Sequence, residues 1–208
     1  MKTTFMPCLF TPVRCEETDL ETLLDGIASG TVPIRLGDAI STRLKDGAEI
    51  DLVVTAQDDK TVRFESRDCT GIRTTAKGLD EYLQKVYDLL PDALKQRIVE
   101  VERPHLNREG EKYTGRCKLF LPAASEVFPT VECFGDTGLY DQMPWYREAR
   151  NRIRAKYKGG DRPCWYWTSS AAEDPVCFCA VRSDGVFDSY YIEDDRGYAP
   201  FCFLVAKG

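Results

Sequence analysis

The chain has 208 residues, of which 43% are hydrophobic and 30% charged, and its formal net charge is −6. That hydrophobic content excludes a disordered chain, and no apolar run approaches the roughly 20 residues of a membrane-spanning helix. The acidic balance repels phosphate backbones, so nucleic acid is not expected as a partner and neither is membrane insertion.

At the start, Met1-Lys2-Thr3-Thr4-Phe5-Met6-Pro7-Cys8 holds one lysine, and Pro7 interrupts it before an apolar core of signal length develops. No secretory signal is expected, and a cytoplasmic or virion-associated location follows. Thr18-Asp19-Leu20-Glu21 has the form of a capping box, after which Leu20, Leu23, Leu24 and Ile27 keep helical spacing up to Gly30. Residues 1–30 therefore read as an N-terminal segment with a short amphipathic helix, and 31–208 as a single domain.

From Gly37-Asp38-Ala39-Ile40 the text turns to strands, continuing through Glu49 to Val54 and Thr61 to Phe64, with Asp46-Gly47 and Asp58-Asp59 as turns of an antiparallel meander. Leu79, Leu83, Val86 and Leu90 then share one helical face, and Pro91-Asp92 starts a second helix with Leu94, Ile98 and Val101. Arg103 to Gly115 is polar, with Pro104 and Gly110, and reads as an exposed connection. Cys117 to Leu121 follows as a strand and Pro122 to Phe128 as a helical turn. Pro144 to Tyr157 reads as a basic helix, docking Trp145, Tyr146, Ala149, Ile153 and Tyr157 and exposing its arginines and lysines. Strands are expected near 164–167, 176–182, 186–192 and 199–206, with Ser183-Asp184-Gly185 as a tight hairpin turn. Helices in the middle and an antiparallel sheet at the end give an α+β class.

Strong catalytic signatures are missing from the sequence. His105 is the single histidine, which leaves no two-histidine zinc site and no triad. The cysteines at 8, 15, 69, 117, 133, 164, 177, 179 and 202 form no CxxC pair. An odd count without a signal predicts reduced thiols buried as small hydrophobes. Phosphate-cradling loops, HExxH and G-x-S-x-G are all absent. Asp188, Glu193, Asp194 and Asp195 gather acid between two strands, but without the spacing of an EF-hand, so neither a metal nor any other cofactor is expected. Apolar strand text alternating with Ser, Glu, Asp and Tyr in the connections is the composition of an adaptable binding face.

Several stretches together resemble a known family. They are Lys118-Leu119-Phe120-Leu121-Pro122-Ala123-Ala124-Ser125-Glu126, Asn151-Arg152-Ile153-Arg154, Trp165-Tyr166-Trp167, Ser183-Asp184-Gly185 and Gly197 with Pro200; Gly37-Asp38 to Asp46-Gly47 and Leu90-Pro91-Asp92-Ala93-Leu94 precede them. In this order and spacing they are similar to an uncharacterised domain family of gut Firmicutes and their prophages, over residues 31–206. Where that family carries W-x-R-S-P and G-V-R-P, this chain has Trp167-Thr168-Ser169-Ser170-Ala171 and Ala199. The resemblance implies a C-type-lectin-like fold with a twisted antiparallel sheet and two or more packed helices. Its kin are the formylglycine-generating-enzyme branch and the variable proteins of diversity-generating retroelements. In those proteins the last strands and loops display the ligand-contacting side chains.

The expected function is a non-enzymatic module that binds a protein or glycan ligand on a cell surface, of phage-tail or adhesin type. Its contact residues would be Trp165, Trp167, Ser169, Ser170, Glu173, Asp174, Asp188, Tyr190, Tyr191, Glu193, Asp194 and Tyr198. Tyr190 and Tyr191 are expected to tolerate alanine without loss of stability. The alternatives are a cysteine-dependent enzyme of the formylglycine-generating branch and a purely structural virion component.

Overall fold

The computed structural model describes residues 13–106, 112–130, 139–193 and 195–208. In chain order, β1 (Val13–Arg14) leads into α1 (Glu17–Ala28) and the meander β2 (Ala39–Arg43), β3 (Glu49–Gln57) and β4 (Thr61–Ser66). A 3₁₀ turn at Ala76–Gly78, α2 (Leu79–Leu89) and α3 (Asp92–Arg97) come next, then β5 (Ile98–Val99), β6 (Val101–Leu106), β7 (Lys112–Cys117) and α4 (Ala124–Val127). Two further 3₁₀ turns, Pro144–Arg147 and Ala149–Arg152, precede β8 (Arg154–Ala155) and β9 (Pro163–Cys164). The chain closes with β10 (Tyr166–Ala171), β11 (Cys177–Val181), β12 (Phe187–Tyr191) and β13 (Cys202–Ala206).

Six strands form the main sheet in the order β1-β2-β3-β4-β13-β5, and β10-β11-β12 form a second, smaller sheet. β6-β7 and β8-β9 are two-stranded. All pairings are antiparallel except β1 with β2. The class is α+β. Among the described residues no helix is long and apolar enough to cross a membrane.

Two-residue alternation decides how β4 is used. Val62 and Phe64 face the main core, where Phe64 stacks on its cross-strand partner Phe203 at 5.6 Å. Arg63 and Glu65 must leave from the opposite face, and both are buried there as well. Leu20, Leu24 and Ile27 of α1 and Leu79, Tyr82 and Val86 of α2 close over the apolar face. α1 therefore shares the core of the rest of the chain. A second cluster of buried residues includes Val127, Tyr146, Cys164, Tyr166 and Val181.

Three local expectations are corrected. Position 18 lies inside α1, which begins at Glu17 behind Glu16, where no side-chain cap forms. The polar stretch from Arg103 to Gly115 is largely the hairpin β6-β7, with 107–111 outside the described residues. Pro144 to Tyr157 is not a helix. Glu148 is extended at φ −86°, ψ 115°, which divides the segment into two 3₁₀ turns, and Arg154 is drawn inside rather than exposed. The 183–185 turn forms as expected, with Gly185 at φ 80°, its N–H donating to Arg182 O, and the Arg182 N–H donating to Val186 O.

Candidate functional site

The second sheet is a platform whose register sorts the expected contact residues. Trp167 pairs with Ala180, Phe178 with Tyr190 and Ala180 with Asp188. Trp167 is fully buried and its Nε1–H donates to Thr74 O at 3.0 Å. Ser170 is buried too, its Oγ accepting the Ala124 N–H at 2.8 Å. These two residues do not belong to an exposed face. Three positions apart on β10, whose register shifts between Trp167 and Ala171, they are buried by different neighbours, Thr74 and Ala124.

Trp165 is half-buried. Its ring stacks on Tyr190 with centroids 4.3 Å apart and meets Trp167 edge-on at 4.9 Å. Gly197 makes this approach possible, since a Cβ there would lie 2.2 Å from the Trp165 ring. Gly197 is pinned by two backbone hydrogen bonds exchanged with Thr74. Tyr190 is consequently a structural partner of Trp165 as much as a surface residue, unlike its exposed neighbour Tyr191. Burial, then the nearby Asp188, pushes the Tyr190 hydroxyl above its ordinary pKa.

β12 is the edge of this sheet. Its bonds to β11 bracket the strand at Val186 and Ile192, whose O and N–H pair with Arg182 and Val176. Antiparallel alternation then leaves Phe187, Ser189 and Tyr191 with outward-facing backbone groups. Carboxylates cover two of the outward donors: Asp188 Oδ1 accepts the Ser189 N–H at 2.8 Å and Asp195 Oδ2 accepts the Tyr191 N–H at 2.9 Å. On the adjoining loop, Asp174 accepts the Val176 N–H at 3.0 Å, and Glu173 is exposed. Glu193 reaches Lys77 at 3.1 Å in an exposed ion pair. Burial, then Asp174 and Asp195, pushes the Cys177 thiol up. Tyr198 is half-buried between the cations of Arg73 and Lys156, each 5.9 Å from its ring centre. Asp194 lies outside the described residues.

Ser169 and Phe178 open onto a cleft of about 630 Å³ between α2 and the segment around Leu119–Leu121. Leu79, Leu83 and Leu121 give it apolar walls, and Lys118 stands at its rim, donating to Tyr87 Oη at 3.1 Å. Sequence reasoning did not find this cleft, because its walls come from three distant stretches.

A buried charged joint also escaped the sequence. Arg63 donates to both oxygens of Glu126, at 2.7 and 3.3 Å, and Arg103 donates to Glu126 Oε2 at 3.0 Å. Arg154 pairs with Glu65, which also accepts from the Tyr146 hydroxyl, and donates to the Ser66 and Arg67 carbonyls. Burial opposes ionisation of Glu126, yet Arg63 and Arg103 hold its carboxyl below the usual range. Glu126 also accepts the Ala123 N–H at 2.8 Å at the start of α4. Glu126 and Arg154 are thus buried, ion-paired parts of the scaffold. The available signal was the run Val62-Arg63-Phe64-Glu65, which places two charges on one face of a strand flanked by apolar text.

Among the described residues no group of three or more histidine, cysteine, aspartate or glutamate side chains is arranged to hold a metal ion. Cys15, Cys69, Cys117, Cys164, Cys177, Cys179 and Cys202 are thiols. Comparison of the chain with protein-family models, with curated proteins and with solved structures gives no match.

Proposed function

We propose that the chain is a non-enzymatic binding domain of C-type-lectin-like fold, of the kind a phage, prophage or gut bacterium uses to engage a protein or glycan on a cell surface. The observation that carries this reading is the contrast within one small sheet. Trp167, Thr168, Ser170, Cys179 and Val181 are buried, whereas Glu173, Asp174, Tyr191 and Glu193 on its end and connecting loops are exposed. A rigid platform with exposed aromatic and short acidic side chains is suited to contact without induced ordering of the backbone. The cleft beside Ser169 and Phe178 gives such a ligand a recess next to the loops.

Two of the thiols, Cys177 and Cys202, are poorly suited to a cysteine-dependent enzyme. A nucleophilic cysteine needs an electropositive, open setting. Cys177 lies partly open but beside Asp174 and Asp195, which disfavour its thiolate, and Cys202 is buried with its pKa pushed up by burial and then by Glu65.

The test is retention of the purified chain on a glycan array and on an array of bacterial cell-surface protein extracts. The wild-type chain is expected to be held by one of them, and a Glu173→Ala/Tyr191→Ala/Glu193→Ala variant to be released. A variant that is retained as well as the wild type sinks the assignment of the site.

A further inference from the structure

Cys69 and Cys164 are 95 positions apart in the chain, yet their Sγ atoms lie 3.9 Å from one another in a buried contact. Neither is part of the binding face. Cys69 sits in the connector between β4 and the Ala76–Gly78 turn, its N–H donating to Ala155 O at 3.1 Å. Cys164 ends β9, opposite Arg154 in the β8-β9 ladder. The two thiols thus approach each other across β8, and the next residue after Cys164 is Trp165, the ring on which Tyr190 stacks.

We propose that Cys69 and Cys164 are an oxidation site, which a hydroperoxide converts to a disulfide that staples the connector after β4 to the base of the binding platform. The two sulfurs have to close from 3.9 Å to about 2.05 Å. Both lie in short or irregular backbone, a connector and a two-residue strand, where such a shift is least opposed by regular hydrogen bonding.

The two sulfurs touch, and the nearby Arg154 guanidinium favours a thiolate in the pair. Either sulfur can attack and the other resolve; for attack by Cys164 the bonds change in two steps. In the first step the Cys164 thiolate attacks one peroxide oxygen, the O–O bond breaks and the departing hydroxide leaves as water with the thiol proton. In the second, the Cys69 sulfur displaces hydroxide from the resulting sulfenic acid. The S–O bond breaks, the S–S bond forms, and the Cys69 proton leaves with that hydroxide as a second water. Two thiols and one hydrogen peroxide give one disulfide and two waters.

The experiment treats the folded full chain with hydrogen peroxide and maps its peptides without reduction. A linked peptide pair containing Cys69 and Cys164, lighter by two hydrogens, is expected, together with a rise in Tm of roughly 5–10 °C from the long loop closed. In Cys69→Ala and in Cys164→Ala, dimedone is expected to trap a sulfenic acid at the thiol that remains. If neither variant folds, the wild-type peptide map still decides. Oxidation of the folded chain that leaves both thiols free, links either of them elsewhere, or carries Cys164 past the sulfenic acid without a Cys69 link overturns the proposal.

Discussion

The chain uses carboxylates in two opposite ways. At the joint between β4 and α4, Glu65 and Glu126 are buried and ion-paired with Arg63, Arg103 and Arg154. At the rim of the second sheet, Asp174, Asp188 and Asp195 accept backbone N–H groups in a setting open to water. Burial makes the first set indispensable once the partners are present, since removing one member strands a charge away from solvent. The second set shapes loops at small energetic cost and remains open to contact. Residue type alone therefore does not distinguish scaffold from site. Solvent exposure and the identity of the partner do.

The comparison breaks most visibly at Glu126. Replacing it with alanine leaves Arg103 buried without its anion and Arg63 with only Glu65 at 3.6 Å, and a loss of about 3–5 kcal/mol in urea unfolding is expected. The same pair sets a pH dependence. Because the folded-state pKa of Glu126 lies below its unfolded value, near 4.3, the stabilisation is fully present above that value. It is lost as pH falls through the folded pKa. Unfolding midpoints followed from pH 6 to pH 2 should fall in the acid range, and Glu126→Gln should flatten that part of the curve. An unaltered slope would remove Glu126 from the account.

A smaller effect is expected at the aromatic stack, which lies between the two regions. In Gly197→Ala the new methyl meets the Trp165 ring, and in Tyr190→Ala the ring loses its partner. Each should cost about 1–3 kcal/mol and change the tryptophan fluorescence of the native state. Wild-type spectra in both variants would mean that the stack does not organise the platform.

Much of the strand placement near the end of the chain was legible, because the apolar and aromatic text of β10 to β13 is broken by polar connections such as Ser183-Asp184-Gly185, although β13 joins the main sheet rather than β10 to β12. The same pattern could not say which face of β10 is covered. Trp167 and Ser170 look like contacts in the sequence, although Thr74 and Ala124, brought in from elsewhere, satisfy them. The 144–157 segment misled for a related reason. Its apolar residues keep helical spacing, but Tyr146 and Arg154 are both drawn to Glu65, and this long-range demand overrides local periodicity. Arg63 and Glu126 are 63 residues apart, so no local pattern announces their pairing. The cleft is hidden in the same way.

The acidic rim has a protective side that can be tested next. Asp195→Ala removes the acceptor of the outward Tyr191 N–H and exposes an edge donor. The stability loss should be about 1 kcal/mol. The more telling readout is sedimentation velocity over a range of concentrations, in which the variant should self-associate more than the wild type. Equal association of the two would show that this edge needs no guard.

The smallest change in stability is expected at Tyr191, and it separates surface from scaffold most sharply. Tyr191 is 57% exposed, whereas Tyr190, one residue earlier, packs against Trp165. Successive residues on a strand point to opposite faces, so the two tyrosines, alike in the sequence, answer to different environments. Tyr191→Ala should leave the urea midpoint within about 0.5 kcal/mol of wild type, as for surface positions without a buried partner. An exposed aromatic on a rigid strand is also the kind of residue that dominates binding energy once a partner desolvates it. Tyr191→Ala should therefore lower retention on whichever array holds the wild-type chain, by tenfold or more, while the fold stays intact. Should retention follow Tyr190 and its loss of stability instead, with Tyr191→Ala bound as well as wild type, the rim is only a solvated edge and the contact surface lies in the cleft beside Ser169 and Phe178.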